Sequence, residues 1–582
     1  MPENTQKEYR STSADKQYSR RQVLKGWALT AGGSAALAWM PEQAMGAATM
    51  ENRYPQIALP AGDTIAASDT APIVETNVGK VRGYVRKGIF TFRGIPYGET
   101  TAGANRFMPP QKPKPWTNVR SSMQYGSVCP QPPRLGWHND EEAWLFSWDD
   151  GVPGEDCLRV NVWSPGINDG KKRPVMVWLH GGGFSAGSGQ ELLSYDGESL
   201  ARRGDVVVVT LNHRLNVFGF LNLSQYGSKY EKSANVGMLD IVATLEWVRD
   251  NIRNFGGDPN LVTIFGQSGG GGKVTALMAM PSAAGLFHRA IVQSGSILQG
   301  ATEEQSSRLA DTLLKKLGLD ASSVDKLQDI PADQLEAAAV AVTFHPRPPS
   351  SIIDFRRVSA LLGWAPVVDG KTLPQHPFDP QAPAISAQVP LLVGSTLNEF
   401  VTAINHPEDM NLTESELKTR VQGILGDKAD SAIRACRSTY PNAAPFALWS
   451  VIATSSVRGA ALSQARRKAA QGGAPAYCYL FAWQTPVLNG RPMAFHCSEI
   501  AFVFDNTARC ENMTGGGSAA RQLAAKASDA WIRFARAGDP NHPGLPHWTP
   551  LTAATNSTMV FDNECVLRNN LDSELQDLVN AS

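Results

Sequence analysis

Residues 261–270 read Leu-Val-Thr-Ile-Phe-Gly-Gln-Ser-Gly-Gly, a β-branched run that closes on G-x-S-x-G with Ser268 at its centre. In such a turn the serine sits where a strand gives way to a helix, so its hydroxyl is presented at the end of the strand. Glycines flank it because a Cβ would clash where strand and helix approach, and the serine backbone is itself strained. The chemistry is nucleophilic attack on a carbonyl carbon. Four consecutive glycines, Gly269 to Gly272, open a stretch that otherwise reads as helix. Each costs up to ~1 kcal/mol against alanine in a helix interior, so close packing beneath the nucleophile is the reason to expect them. Upstream, His180-Gly181-Gly182-Gly183 directly follows the apolar run Val175–Leu179. Backbone N–H groups there are unobstructed by side chains and can face a developing oxyanion, with Gly182, Gly183 and Gly269 as the three donors. Either motif alone is commonly just a glycine-rich turn. In this order they indicate acyl transfer.

A serine hydroxyl needs a base to take its proton, and the base needs a carboxylate to fix its tautomer. When a nucleophile elbow supplies the serine, the chain order is serine, acid, histidine. Downstream of Ser268, the residues alone leave His345, His376, His406 and His496 as alternatives for the base, and no carboxylate stands out. There is no CxxC pair and no HExxH, so neither a metal nor an organic cofactor is expected.

These residues need a scaffold. Continuous apolar runs at Val175–Leu179, Val206–Leu211, Leu261–Phe265, Ala290–Gln293, Pro390–Val393 and Ala476–Phe481 predict central parallel strands covered on both faces. Helical spacing appears at Met238–Ile252, Glu303–Leu317, Glu414–Leu425, Val457–Ala469 and Arg521–Ala537. The alternation predicts an α/β fold with a mostly parallel sheet. Strands continue on both sides of residue 300, so one catalytic domain over 73–582 is expected, with a large helical excursion between about 300 and 470.

The chain has 582 residues with 54 Lys+Arg against 54 Asp+Glu, 42% hydrophobic and 19% charged. That balance argues against a nucleic-acid binder and against an acidic disordered scaffold. No apolar run of spanning length lies in the body, so stable membrane insertion is not expected. The N-terminus reads as an address. Ser19-Arg20-Arg21 precedes a modest apolar stretch over 27–40, and small residues stand at Gly46 and Ala48. This pattern predicts a twin-arginine signal peptide over 1–48, engagement of the twin-arginine translocase, and a periplasmic or secreted destination. Residues 49–72 read as a linker.

With the elbow and the HGGG segment in place, further motifs carry a resemblance. Phe92-Arg-Gly-Ile-Pro-Tyr97, Glu155-Asp-Cys-Leu158, Asn212-His-Arg214, Asn235-Val-Gly-Met-Leu-Asp240, Phe255-Gly-Gly-Asp-Pro259, Gln293-Ser-Gly295, Pro366-Val-Val-Asp-Gly370 and Trp531-Ile-Arg-Phe-Ala535 occur in order. Together they resemble the type-B carboxylesterase and cholinesterase-like family of α/β-hydrolases across nearly the whole chain after the signal.

The resemblance implies a serine carboxylic-ester hydrolase of small-molecule esters, working through an acyl-enzyme. It selects His496 as the base and Glu399, after a strand and Gly394, as the acid. Ser294 is implied to support Glu399 by a hydrogen bond. Cys129 is implied to bond Cys157 and close a loop bearing Trp137, Trp144 and Trp148 beside the substrate gorge. The sequence also departs from the family. Gln267 stands where glutamate is usual, which disfavours cationic alcohols such as choline. Gly269 replaces the usual alanine, Lys273 a usual small residue, and Cys497 adjoins the histidine, paired with Cys510 or free. The alternatives are a hydrolase of amides, carbamates or thioesters with the same triad, and a non-catalytic cholinesterase-like binding protein.

Overall fold

A computed structural model describes residues 64–132, 140–343, 363–552 and 554–580. The predicted signal peptide, most of the predicted linker, Trp137 and His345 lie outside the described residues. The sheet has twelve strands: β1 Ile65–Ala66, β2 Tyr84–Arg86, β3 Ile89–Pro96, β4 Arg159–Ser164, β5 Arg173–Leu179, β6 Val207–Leu211, β7 Gly257–Gln267, β8 Arg289–Gln293, β9 Leu391–Thr396, β10 Ala476–Phe481, β11 Thr558–Phe561 and β12 Val566–Arg568. Their spatial order is β1-β2-β3-β4-β6-β5-β7-β8-β9-β10-β11-β12. From β6 to β11 every pairing is parallel, while β1 to β4, the β4–β6 pair and β12 are antiparallel.

The continuous apolar runs make sense because both faces of the parallel strands are buried. In β5, Val175, Val177 and Leu179 enter one core and Met176 and Trp178 the other. The first core is closed by helices α1 Val236–Asn251, α2 Gly269–Leu277 and α3 Pro445–Ala470, through residues such as Ile241, Leu245, Val274 and Ala461. The second is closed by α4 Gly517–Ala537, through Leu523, Ala527, Trp531 and Phe534. The result is a helix–sheet–helix sandwich. Among the described residues no helix is long and apolar enough to cross a membrane.

The expected helical excursion divides around β9. Helices Glu303–Lys316 and Ala332–Thr343 lie between β8 and β9; helices Glu414–Leu425 and Ala429–Thr439, followed by α3, lie between β9 and β10. The helices of the second part pack a small core from Leu417, Val421, Ala432, Cys436, Phe446 and Ile452, which also takes in Ala403 and Met493.

Candidate active site

Every chemically interesting residue sits beyond the carboxyl end of a parallel strand, where open α/β sheets bind their ligands. β5 runs into His180, β7 into Ser268, β8 into Ser294, β9 into Glu399 and β10, by a longer loop, into His496.

The elbow is as tight as the glycines require. Ser268 has φ 58° and ψ −125°, a strained region for a residue with a side chain. A Cβ on Gly270 would stand 1.9 Å from the Leu179 carbonyl oxygen, so β5 and the start of α2 meet backbone to backbone. Ser268 N–H donates to Gln293 O at 2.8 Å, tying the turn to β8, and Ser268 O accepts from Gly272 N at 3.0 Å.

Glu399 and His496 are stitched together by main chain. The bridge Glu399↔Phe495, His496 N–H to Glu399 O at 2.8 Å and Asn398 N–H to Ala494 O at 3.1 Å put the two loops in register. The His496 Nδ1 contacts Glu399 Oε2 directly, while Glu399 Oε1 accepts from Thr396 N–H at 3.0 Å. A carboxylate held this way fixes the proton on Nδ1 and leaves Nε2 basic. Gln267, fully buried, places its amide nitrogen 3.3 Å from Nδ1 and 3.1 Å from Nε2, and its Oε1 accepts from the Cys497 thiol at 3.2 Å. Being nearly equidistant, the amide lies against the ring rather than on the axis of one lone pair. Phe400 covers the imidazole, with ring centroids 3.9 Å apart. Among the described residues the Ser268 hydroxyl has no hydrogen-bond partner within 3.5 Å; catalytic bonds of this kind commonly tighten only in the Michaelis complex.

The HGGG segment turns back on itself. Gly182 and Gly183 have φ 76° and 61°, and the Gly182 carbonyl accepts from Ser185 and Ala186 N–H at 3.3 and 3.0 Å. Among the described residues neither Gly182 N–H nor Gly183 N–H donates to a protein acceptor, and Gly269 N–H is the first of α2. His180 stacks on His213 with centroids 5.0 Å apart, and burial holds both imidazoles well below their usual range, hence neutral.

One relation expected from the resemblance comes out differently. Ser294 does not bond Glu399; instead its Oγ accepts, at 3.3 Å, from the same Thr396 N–H that serves the carboxylate. The seven cysteines stand as free thiols, Cys129 and Cys157 among them. Cys129 and Cys157 do meet, thiol against thiol, with Leu215 N–H donating to Cys129 Sγ at 3.2 Å. Burial pushes the Cys129 thiol well up. Of the loop tryptophans, Trp144 is half exposed and Trp148 packs against the second core.

Glu499 was not singled out from sequence, although a carboxylate opening the apolar run Ile-Ala-Phe-Val-Phe three residues after His496 is a signal. It is fully buried and accepts from Gln293 Nε2 at 3.2 Å, and Trp531 Nε1 donates to Gln293 Oε1 at 3.0 Å. Burial, and then the Glu399 charge, raise its carboxyl to about 8. A carboxyl raised by folding contributes stability that is complete below its unfolded value of 4.5 and is lost as pH climbs through about 8. Thermal melting from pH 5 to 9 should therefore decline less steeply in Glu499→Gln than in the wild type. Equal slopes would refute the assignment.

A strand–serine–helix elbow, a glycine loop beside it and a carboxylate–imidazole pair on the next strand ends define an α/β-hydrolase. The sequence profile described as the carboxylesterase family matches residues 70–578. The chain belongs to that family and is a carboxylic-ester hydrolase. It is 36% identical to the para-nitrobenzyl esterase of Bacillus subtilis (strain 168) over 514 residues, 87% of this chain and 98% of the relative. It is 33% identical to the phenmedipham hydrolase of Pseudarthrobacter oxydans, over 85% of this chain and 96% of the relative. Among solved structures, an esterase from Clostridium hathewayi described as hydrolysing aliphatic aromatic polyesters superposes with a TM-score of 0.76 at 37% identity, covering 88% of this chain and 98% of its own.

Proposed function

We propose that the protein hydrolyses esters of uncharged alcohols through an acyl-enzyme on Ser268. His496 takes the serine proton and returns it to the leaving alcohol, and Glu399 holds the imidazole and stabilises its charged form. The tetrahedral oxyanion is received by Gly182, Gly183 and Gly269 N–H, and water, activated by the same histidine, releases the acid. No metal or organic cofactor enters these steps. The observation that carries the substrate class is Gln267, a buried neutral amide against the imidazole at the position next to the nucleophile. A carboxylate there would attract a cationic alcohol by about 4 kcal/mol at ~4 Å and an effective dielectric of ~20; an amide does not.

The test is a matched series with one acyl group on p-nitrophenol, on choline, as an anilide and as a carbamate. The p-nitrophenyl ester should lead the choline ester in kcat/KM by roughly a hundredfold or more. A preference for the choline ester would reverse the substrate reading, and a faster anilide or carbamate would move the enzyme to another bond class.

Export through the twin-arginine pathway to the periplasm or beyond belongs to the same proposal, supported by Arg20-Arg21 and the apolar and small residues after them. An oxidising destination would act on Cys129 and Cys157, which already lie side by side, and close the bond between them.

A further inference from the structure

Lys273 is the fifth residue of α2 and is completely buried. A cation near a helix N-terminus opposes the helix dipole, and a buried lysine loses its hydration, so the position needs a compensating reason. The reason lies across the elbow. Lys273 Nζ donates to His180 O at 2.9 Å, Gly181 O at 3.4 Å and Gly183 O at 2.9 Å, and stands 5.6 Å from the Phe184 ring centroid. From the helix that opens at Ser268, one side chain holds three carbonyls of the HGGG loop.

A trans peptide points its C=O and N–H in opposite directions. Anchoring Gly181 O on Lys273 therefore turns Gly182 N–H to the other side. The next peptide is anchored by Ser185 and Ala186 N–H on Gly182 O, which turns Gly183 N–H likewise. Lys273 also draws the loop in. A Cβ on Gly269 would lie 2.2 Å from Gly183 O and 2.5 Å from Gly183 N, so the loop occupies the space an alanine methyl would fill. The two departures, glycine at 269 and lysine at 273, are thus halves of one arrangement.

We infer that Lys273 is a positioning residue for the oxyanion hole, clamping the loop so that the N–H groups of Gly182 and Gly183 are aimed and polarised toward the carbonyl attacked by Ser268. The inference rests on the reading of that loop as the oxyanion hole. Three carbonyl acceptors call for three N–H donors, which is the ammonium form. Burial pulls this ammonium down to about 7, and the charge of Glu191 opposes that shift. Glu191, itself raised to about 8 by burial, is held by Ser188 N–H at 2.7 Å and the Tyr195 hydroxyl at 3.1 Å.

The test compares wild type, Lys273→Met and Lys273→Gln on a p-nitrophenyl ester and on a trifluoromethyl ketone, whose serine adduct carries the oxyanion. Removing a direct oxyanion donor costs ~10²–10³ in kcat, and an indirect clamp should cost roughly 10–100-fold. Lys273→Met should lower kcat by that factor with KM within about threefold, and weaken the trifluoromethyl ketone equally. The non-fluorinated methyl ketone should bind as in the wild type. Lys273→Gln, which keeps two donors, should fall between, and it carries the same comparison if the methionine variant does not fold. A kcat within twofold of wild type in a folded variant, or a loss confined to KM, would overturn the clamp. If trifluoromethyl ketone affinity is unchanged by Ser268→Ala in an otherwise intact protein, the reading of the site itself fails, and that outcome is distinct from failure of the clamp.

Discussion

Ser268→Ala is expected to lower kcat for p-nitrophenyl esters by roughly 10⁴–10⁶, leaving only the modest acceleration that binding and the oxyanion donors provide without a nucleophile. Alanine is the informative replacement because it keeps the Cβ. The backbone at φ 58° and ψ −125° is then strained to the same degree in both proteins, whereas glycine would relax it and confound chemistry with stability. The elbow's main-chain anchors, Ser268 N–H to Gln293 O and Gly272 N–H to Ser268 O, do not involve the hydroxyl. Melting temperature and circular dichroism should therefore match the wild type. Steady-state kinetics with a folded variant at wild-type rate would refute Ser268 as nucleophile.

The largest effect on stability is expected at Asp240. Its carboxylate takes Arg214 Nε at 2.8 Å, Nη2 at 2.7 Å and the Arg214 backbone N–H at 3.0 Å, with side-chain exposures of 1% and 0%. Arg214 Nη1 continues to Met108 O at 2.7 Å. Removing one partner strands the other as an uncompensated buried charge, a loss of ~3–5 kcal/mol, whereas replacing both with apolar residues of similar volume is often near neutral. Asp240→Ala should melt several degrees lower or fail to accumulate, and Arg214→Met/Asp240→Leu should recover part of that loss. An Asp240→Ala melting within 1–2 °C of wild type would refute the prediction. Activity should fall together with stability, because the segment that Asp240 anchors backs the glycine loop. His213 stacks on His180, and Asn216 N–H donates to Phe184 O at 2.7 Å.

What could be read from the sequence follows what each residue needs locally. Ser268 and the HGGG segment announce themselves because their glycines answer to backbone geometry a few residues away. Glu399 and His496 are joined by a tertiary bridge between separate loops, which no local pattern encodes, so only the family resemblance picked them out. The parallel strands were visible as two-sided apolar runs. β3, with Gly94 and Pro96 inside it, and β4, with the buried Asn161, carry no such run. Helix α3 extends to Pro445, well before the expected Val457, because it is enclosed by protein. Ser450, Thr454, Arg458 and Gln464 are buried along it, which erases an apolar stripe. Lys273 had no meaning in sequence, since its partners are carbonyls some ninety residues upstream.

The main-chain stitch between the Glu399 and His496 loops has a consequence for how the site answers to changes around it. Acid and base move as one body whose spacing is set by peptide groups. The helices Glu414–Leu425 and Ala429–Thr439 lie between them in the chain, and the small core they build takes in Ala403 and Met493 from the same two loops. A change of packing in that detour therefore bears on the acid and base loops together, shifting the pair before it alters the spacing within it.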